Sequence, residues 1–357
     1  MPLNEALSWL GSPPRSPDQL NRIHESDSEL IRLPGREGGQ ILASTIDSVS
    51  EEIAMGLYQD PYTMGWVTAQ ASLSDLAAVG ARPLGVLFSS NWSPRTSVEF
   101  KTSVVQGLNE ALLESKVALL GGDTGSAGST VLSSVGLGIS PLERPVSRIG
   151  IRSGDYLCLT GSVGRGPALA MRFLRGEPLE AIAEQNFRPQ ARLLEGQILA
   201  GIASAMMDTS DGVLTTLKTL QEVNGVGLEI EWNESTLDPL AVQYCISRDI
   251  PLWMLWVAEH GDFELVVAVS PEQWSHAQRL CPSLKRIGRA VPQEKGTSAV
   301  FRSQEATPGE GELALRERKL DLDKTQLLGY GDRPLSLQEL SNSLHELINS
   351  LREEGFP

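Results

Sequence analysis

The chain predicts a mixed α/β (α+β) fold in two halves, and three observations carry the prediction. Apolar runs of strand length alternate with segments of helical periodicity over most of the 357 residues, the pattern of packed α/β layers. The length suits about two domains, and 41% hydrophobic residues are enough to fill their cores. The alternation breaks between Pro141 and Gly154, where prolines, glycines and charges cluster. The expected division is residues 1–142, residues 143–330, and a C-terminal helical extension at residues 331–357.

Taken in order, residues 1–38 read as an irregular lead-in with a short helix near the start. Gln40–Ile46 is a strand, with Ile41, Ala43 and Thr45 alternating against Leu42, Ser44 and Ile46. Thr63–Gly80 is a helix stopped by Gly80 and Pro83. Leu84–Phe88 is a buried strand. Val98–Ser115 is an amphipathic helix with Val105, Leu108, Leu112 and Lys116 on one face. Val117–Leu120 and Thr130–Ile139 are strands separated by a Gly121-Gly122-Asp123 turn and a Gly/Ser loop.

The second half opens with strand Tyr156–Thr160, a Gly161–Gly166 turn and helix Pro167–Leu174. That order suits an anion site at a helix N-terminus. It lacks the Gly-Lys-Ser/Thr of a Walker A loop and the glycine spacing of a dinucleotide fingerprint, so a tight strand-to-helix turn is the plainer reading. Helix Gln190–Ala203, strand Ala205–Met207 and helix Val213–Val223 follow, with Ser210 or Asp211 as the expected N-cap. Gly227–Glu231, Pro251–Val257 and Glu264–Val269 read as strands and Pro271–Leu280 as a helix. Residues 290–335 read as polar loop. Leu335–Leu351 is a helix whose leucine stripe is a packing face. The halves share this alternation, which suggests a duplicated pair.

Six short segments place an aspartate beside Gly, Ser or Thr with no Lys or Arg in their cores. They hold Asp27, Asp47, Asp75, Asp123, the pair Asp208 and Asp211, and Asp262. Any one of them is ordinary turn or cap chemistry. Together they suit a hard cation such as Mg²⁺, which takes oxygen ligands from a few carboxylates and substrate phosphates. Asp75 stands out, because the C-terminal half of a helix disfavours negative charge unless a partner, solvent or cation compensates.

A net charge of −15 and the absence of a basic stripe argue against nucleic-acid binding, and would repel a nucleotide unless a cation intervened. Three cysteines, Cys158, Cys245 and Cys281, show no CxxC spacing, which argues against zinc and against a disulfide framework. His24, His260, His276 and His345 show no ligand spacing, and each reads first as an ordinary surface or core histidine. No signal-peptide pattern or membrane-length apolar run is present, so a soluble cytoplasmic protein without a membrane partner is expected.

The order of these segments resembles the superfamily of aminoimidazole ribonucleotide synthetase, selenophosphate synthetase, a hydrogenase maturation protein and thiamine-monophosphate kinase, and within it thiamine-monophosphate kinase most. The resemblance rests on Ser72–Pro83 (SLSDLAAVGARP), Gly121-Gly-Asp-Thr124, Arg148 with Ser153-Gly-Asp155, and Thr160–Gly164. It continues through Phe187–Arg192 (FRPQAR), Met207–Val213 (MDTSDGV), Asp262–Leu265 and Ile287-Gly288, and covers residues 20–290. It implies two α/β domains, N-terminal strands that form a dimer barrel in a homodimer, and ATP with several Mg²⁺ ions in an acidic groove. Carried over by position, Asp27, Asp47, Asp75, Asp123, Asp208 and Asp211 would hold metal. Gly121, Gly122, Asp123, Arg148 and Ser210 would meet the nucleotide, with Asp208 and Asp211 at the catalytic centre. The activity implied is transfer of the γ-phosphoryl of ATP to a small phosphorylated acceptor, thiamine monophosphate.

This chain departs from the pattern in several places. Gly-Asp-Asp-Ala-Ala becomes Glu25–Glu29, and Val-Glu-Gly-Val-His-Phe becomes Ser50–Met55. Gly-Gly-Glu-Asp-Tyr-Glu-Leu becomes Glu259–Leu265, and the C-terminal aromatic motif has only Gly329–Asp332 as a counterpart. Two alternatives stay open on these departures: a paralogous enzyme that activates a different acceptor, and a non-catalytic dimeric nucleotide-binding protein.

Overall fold

A helix with almost no exposed face organises the first half. In the computed structural model, which describes residues 14–34, 40–141, 143–178, 182–306, 313–321 and 337–353, Pro61–Ala78 is buried along nearly its whole length. Asp60 starts it by accepting from the Thr63 amide at 3.0 Å, with Pro61 in the first turn, where its missing N–H costs nothing. The Ala, Ser and Thr residues that follow let neighbours approach from several sides. We label the short helix Ser50–Met55 α1, Pro61–Ala78 α2 and Val98–Glu114 α3.

One face of α2 lies on a five-stranded sheet of β1 (Glu29–Arg32), β2 (Ile41–Ser48), β3 (Arg82–Trp92), β4 (Leu119–Ser126) and β5 (Val131–Ser140), in the order β1-β2-β5-β3-β4. Pairing is antiparallel except between β3 and β4. Alternate residues of β5 point into the core, and Gly136 among them lets α2 sit close: a Cβ there would come within 2.8 Å of the Ser72 carbonyl oxygen. The opposite face is uncovered, with Ile46, Val135 and Leu87 in one row across β2, β5 and β3.

The second half is built on a seven-stranded sheet of β6 (Tyr156–Leu159), β7 (Ala203–Asp208), β8 (Gly227–Glu231), β9 (Leu265–Val269), β10 (Lys285–Val291), β11 (Thr297–Ala306) and β12 (Leu313–Asp321). Its order is β12-β11-β8-β10-β6-β9-β7. Its helices are α4 (Arg165–Leu174), α5 (Leu193–Leu199), α6 (Val213–Asn224), α7 (Pro239–Ser247), α8 (Met254–Val257), α9 (Pro271–Leu280) and α10 (Leu337–Glu353). Leu344, Ile348 and Leu351 of α10 are buried in this core, so the leucine stripe is a packing face. The three cysteines are buried and free.

Several expectations are corrected. The lead-in holds a strand, β1, which pairs with β2; its sequence is too short to announce itself. Gly121-Gly122-Asp123 is not a turn but the middle of β4, where pairing with β3 overrides glycine's poor strand propensity. The buried face of α3 runs through Val104, Leu108 and Ala111, leaving Val105 exposed. The helix expected over Gln190–Ala203 spans only Leu193–Leu199, because the chain must turn to enter β7. Pro251–Val257 is a turn leading into helix α8; short apolar runs do not distinguish a strand from a buried helical turn. Residues 290–335 include β11 and β12, an edge hairpin that needs no apolar run on both faces. The short helix near the start and Gly329–Asp332 lie outside the described residues.

Candidate active site

Three segments distant in sequence bring Asp27, Asp75 and Asp208 together, with a carboxylate oxygen of each within 4.8 Å of the others. Asp27 comes from the turn before β1, Asp75 from the last turn of α2 and Asp208 from the end of β7. Asp75 sits where the helix dipole opposes its charge, and α2 has no basic residue in that turn. Thr45 of β2 donates a short hydrogen bond to it. Asp208 accepts from Ser74 at 2.7 Å and from Ser210 at 3.0 Å. Arg148 donates to Asp27 Oδ1 at 2.8 Å, while Asp27 Oδ2 is buried without a hydrogen-bond partner. The Asp27 side chain is only 1% exposed and that of Arg148 17%.

Electrostatics here are unfavourable in the protein alone. Burial, then Asp208, Asp47 and Asp27, push the Asp75 carboxyl well above its usual range. Burial and Asp27 raise Asp208 to about 7. Burial works against the charge of Arg148, but Asp27, Asp208 and Asp75 hold it firmly protonated. One guanidinium faces three carboxylates, and one buried oxygen is left without a donor. An all-oxygen set of this kind fits a hard divalent cation such as Mg²⁺.

Asp47 and Asp211 flank this group rather than join it. Asp47 ends β2 and accepts from the Ser48 amide at 2.7 Å. Burial, then the charge of Asp211, raise it to about 6. Asp211 does not cap α6: the N-cap is Gly212, at φ 87°, without a side-chain hydrogen bond. The expected Ser210 or Asp211 cap is therefore corrected, because Ser210 turns to Asp208 instead. Two further acids stand beside this flank. Glu52 of α1 is raised to about 7 and Glu259 to about 8, by burial first and by neighbouring carboxylates next, Asp211 among them for both. Sequence reasoning missed Glu52 and Glu259 as site residues, although both fall in segments that depart from the resemblance. It also passed over Thr45 and Ser74, which lie beside quoted aspartates and had no assigned role.

Asp123 does not reach the cluster. Sheet register puts it one residue past the row Asp47, Ser134, Phe88, Gly122, three strand spacings across, roughly 14 Å at the usual inter-strand distance. Gly121, Gly122 and Asp123 are instead exposed on the edge strand β4.

The glycine turn before α4 is occupied by the protein itself. Asp262 accepts from the Gly164 amide at 2.6 Å and from the Gly166 amide at 2.8 Å, in the place an anion would take. Next to it, Glu264 is gripped by Arg192 and accepts from Thr160 at 2.6 Å, while its amide donates to Thr209 at 3.0 Å. The 259–264 segment thus ties α4, α5 and the Asp208 loop together. His260 within it is buried and hydrogen-bonded to Tyr58 at 2.9 Å, as a core histidine.

Comparison with known proteins gives the family and the fold. The family profile described as AIR synthase related protein, N-terminal domain, matches residues 25–140, the first sheet and its helices. The thiamine-monophosphate kinase of Halobacterium salinarum is 30% identical over 71% of this chain and 85% of its own. The chain belongs to the thiamine-monophosphate kinase family. The Archaeoglobus fulgidus member is 29% identical over 70% of this chain and 79% of its own. The structure described as AaThiL complexed with AMPPCP and TMP superposes with a TM-score of 0.68 at 22% identity, covering 87% of this chain and 95% of that one; at that identity the likeness is one of fold. The two-domain family fold expected from the resemblance is therefore present. No described helix is long and apolar enough to cross a membrane.

Proposed function

We propose that the protein transfers the γ-phosphoryl group of ATP to thiamine monophosphate, giving ADP and thiamine diphosphate, with Mg²⁺ held by Asp27, Asp75 and Asp208. Family membership supports the reaction, since the relatives aligned over most of the chain carry this activity in their names. The observation that carries the site is the buried, unpartnered Asp27 Oδ2 facing two further carboxylates. Bound Mg²⁺ would supply neutralisation of phosphate charge.

The protein's own groups do the positioning. Arg148, oriented by Asp27, presents a permanent positive charge beside the cluster. Ser74, Ser210 and Thr45 hold the Asp208 and Asp75 carboxylates in fixed orientations. Asp47 and Asp211 extend the acidic set on the acceptor side. Gly121, Gly122 and Asp123 meet the nucleotide from the edge strand in this reading. An oxygen of the acceptor phosphate attacks the γ-phosphorus, and the bond to the β–γ bridging oxygen breaks. The acceptor is already an anion, so no strong general base is required.

The protein acts as a homodimer in this reading. The uncovered row Ile46, Val135 and Leu87, continued by exposed Leu119 and Leu120 on β4, is an apolar sheet face with an open edge. Packing against a second copy would cover it. Light scattering at micromolar concentration tests this, and a monomeric mass removes it.

A second reading, an acceptor other than thiamine monophosphate, rests on Glu52 and Glu259. Both stand where the family pattern has glycine, and they add acidic groups beside Asp211 whose proton affinity is raised by burial, on the side where an anionic acceptor would approach. Incubation with Mg–ATP and thiamine monophosphate separates the readings. Formation of ADP and thiamine diphosphate together supports the first. Metal-dependent ATP binding without thiamine diphosphate overturns it in favour of the second.

A further inference from the structure

Asp47, near the end of β2, and Asp211, in the segment after β7, lie on opposite halves of the molecule, and from each a short path leads to one buried hydrogen bond between the halves. From Asp47 the chain runs through α1 to Tyr58. From Asp211 the packing runs through Ser210, whose carbonyl accepts from the Gly261 amide at 2.8 Å, to His260. That second path is closely packed: a Cβ on Gly261 would lie 1.4 Å from the Thr209 carbonyl oxygen. Tyr58 and His260 then meet at 2.9 Å between Oη and Nε2, both buried, with the Phe187 ring centroid 6.4 Å from Tyr58 and 5.7 Å from His260.

We propose that the Tyr58–His260 hydrogen bond is a positioning contact that fixes the spacing between the Asp47 and Asp211 flanks of the acidic centre. The bonds from Ser74 to Asp208 and from Arg148 to Asp27 tie the halves at the three-carboxylate group itself. At the other flank the Tyr58–His260 bond spans the halves, and beside it the Glu184 carboxylate of the second half accepts from the Gln59 amide at 3.0 Å and the Asp60 amide at 2.9 Å. Burial pushes His260 down to about 4 and raises the Tyr58 phenol well above its usual range, so both stay neutral across the physiological range. Ring packing on Phe187 holds the pair in place.

The inference rests on the metal reading above, and the test separates the two. Binding of Mn²⁺ to the full chain with a non-hydrolysable ATP analogue is measured by electron paramagnetic resonance for the parent, Tyr58→Phe, His260→Leu and His260→Gln. Loss of one hydrogen bond predicts roughly fivefold weaker Mn²⁺ binding in Tyr58→Phe and His260→Leu, while His260→Gln, which keeps an acceptor for the phenol, stays within about twofold of the parent. A purely structural role would lower the thermal midpoint of the variants and leave their Mn²⁺ affinity unchanged. A parent that binds Mn²⁺ with Tyr58→Phe and His260→Leu unaltered overturns this inference alone, as does His260→Gln as weak as His260→Leu. A parent that binds no Mn²⁺ overturns the metal reading and this inference with it. Should Tyr58→Phe fail to fold, the two His260 variants decide.

Discussion

Asp262 and Asp27 carry the same carboxylate and differ in what its oxygens touch. Both oxygens of Asp262 accept from backbone amides, those of Gly164 and Gly166. Asp27 has one oxygen on Arg148 and the other buried with nothing to accept from, in a group with Asp75 and Asp208. In the sequence both are aspartates beside small residues. In the fold one is satisfied by two backbone amides and the other keeps one oxygen without a protein donor. Self-sufficiency marks a structural carboxylate; an uncompensated, buried like-charge group marks a candidate functional site. The glycine turn, which resembles an anion site in order of elements, belongs to the first kind.

Replacing one member of each region breaks the comparison most sharply. Asp208→Asn keeps the shape and removes a charge from the crowded group. Turnover is expected to fall by about two to three orders of magnitude, by analogy with loss of one oriented charge-stabilising group. The metal-free thermal midpoint stays level or rises, because self-repulsion is relieved. A stable, fully active Asp208→Asn protein would refute the metal assignment.

Asp262→Ala leaves the Gly164 and Gly166 amides without their acceptor. Denaturant unfolding is expected to show a loss of about 1–3 kcal/mol, the penalty for stranding hydrogen-bonding groups. Mn²⁺ affinity of the folded fraction is unchanged. If Asp262→Ala instead weakened metal binding as much as Asp208→Asn, the distinction between the two regions would collapse.

The smallest effect is in the pH dependence of stability without metal. Asp47 is raised to about 6, Asp208 and Glu52 to about 7 and Glu259 to about 8. Each binds its proton more tightly folded than unfolded. Their contribution is therefore fully present below the unfolded carboxylate value of about 4 and is lost as pH rises through the folded values. The thermal midpoint measured in EDTA should fall by a few degrees between pH 5 and pH 8, and Mg²⁺ with nucleotide should flatten the slope. A midpoint that rises over this interval would contradict the raised values.

Much of this was legible in one dimension. The Thr63–Gly80 helix, the Gln40–Ile46 strand and the Pro271–Leu280 helix follow from apolar period and from Gly and Pro punctuation, which are local. The acidic segments were legible as residue types, and Asp75 as an odd charge late in a helix. What was lost is instructive: β1 and β4 exist because a partner strand satisfies their backbone, and no local signal reports a partner. Gly121-Gly122-Asp123 reads as a turn until β3 lies beside it.

The sequence by itself determined the chemistry available: oxygen ligands without basic neighbours, a net negative chain, and the motifs that place it in its family. Only the tertiary structure decided which of the acids share a site. Asp27, Asp75 and Asp208 converge because α2 sits close to β5 over Gly136 and its C-terminal end meets the end of β7, while Asp123 stays three strands away and Asp262 is spent on two amides. Burial and mutual distance, not residue type, set the cost of holding a charge, and those are properties of the folded chain alone.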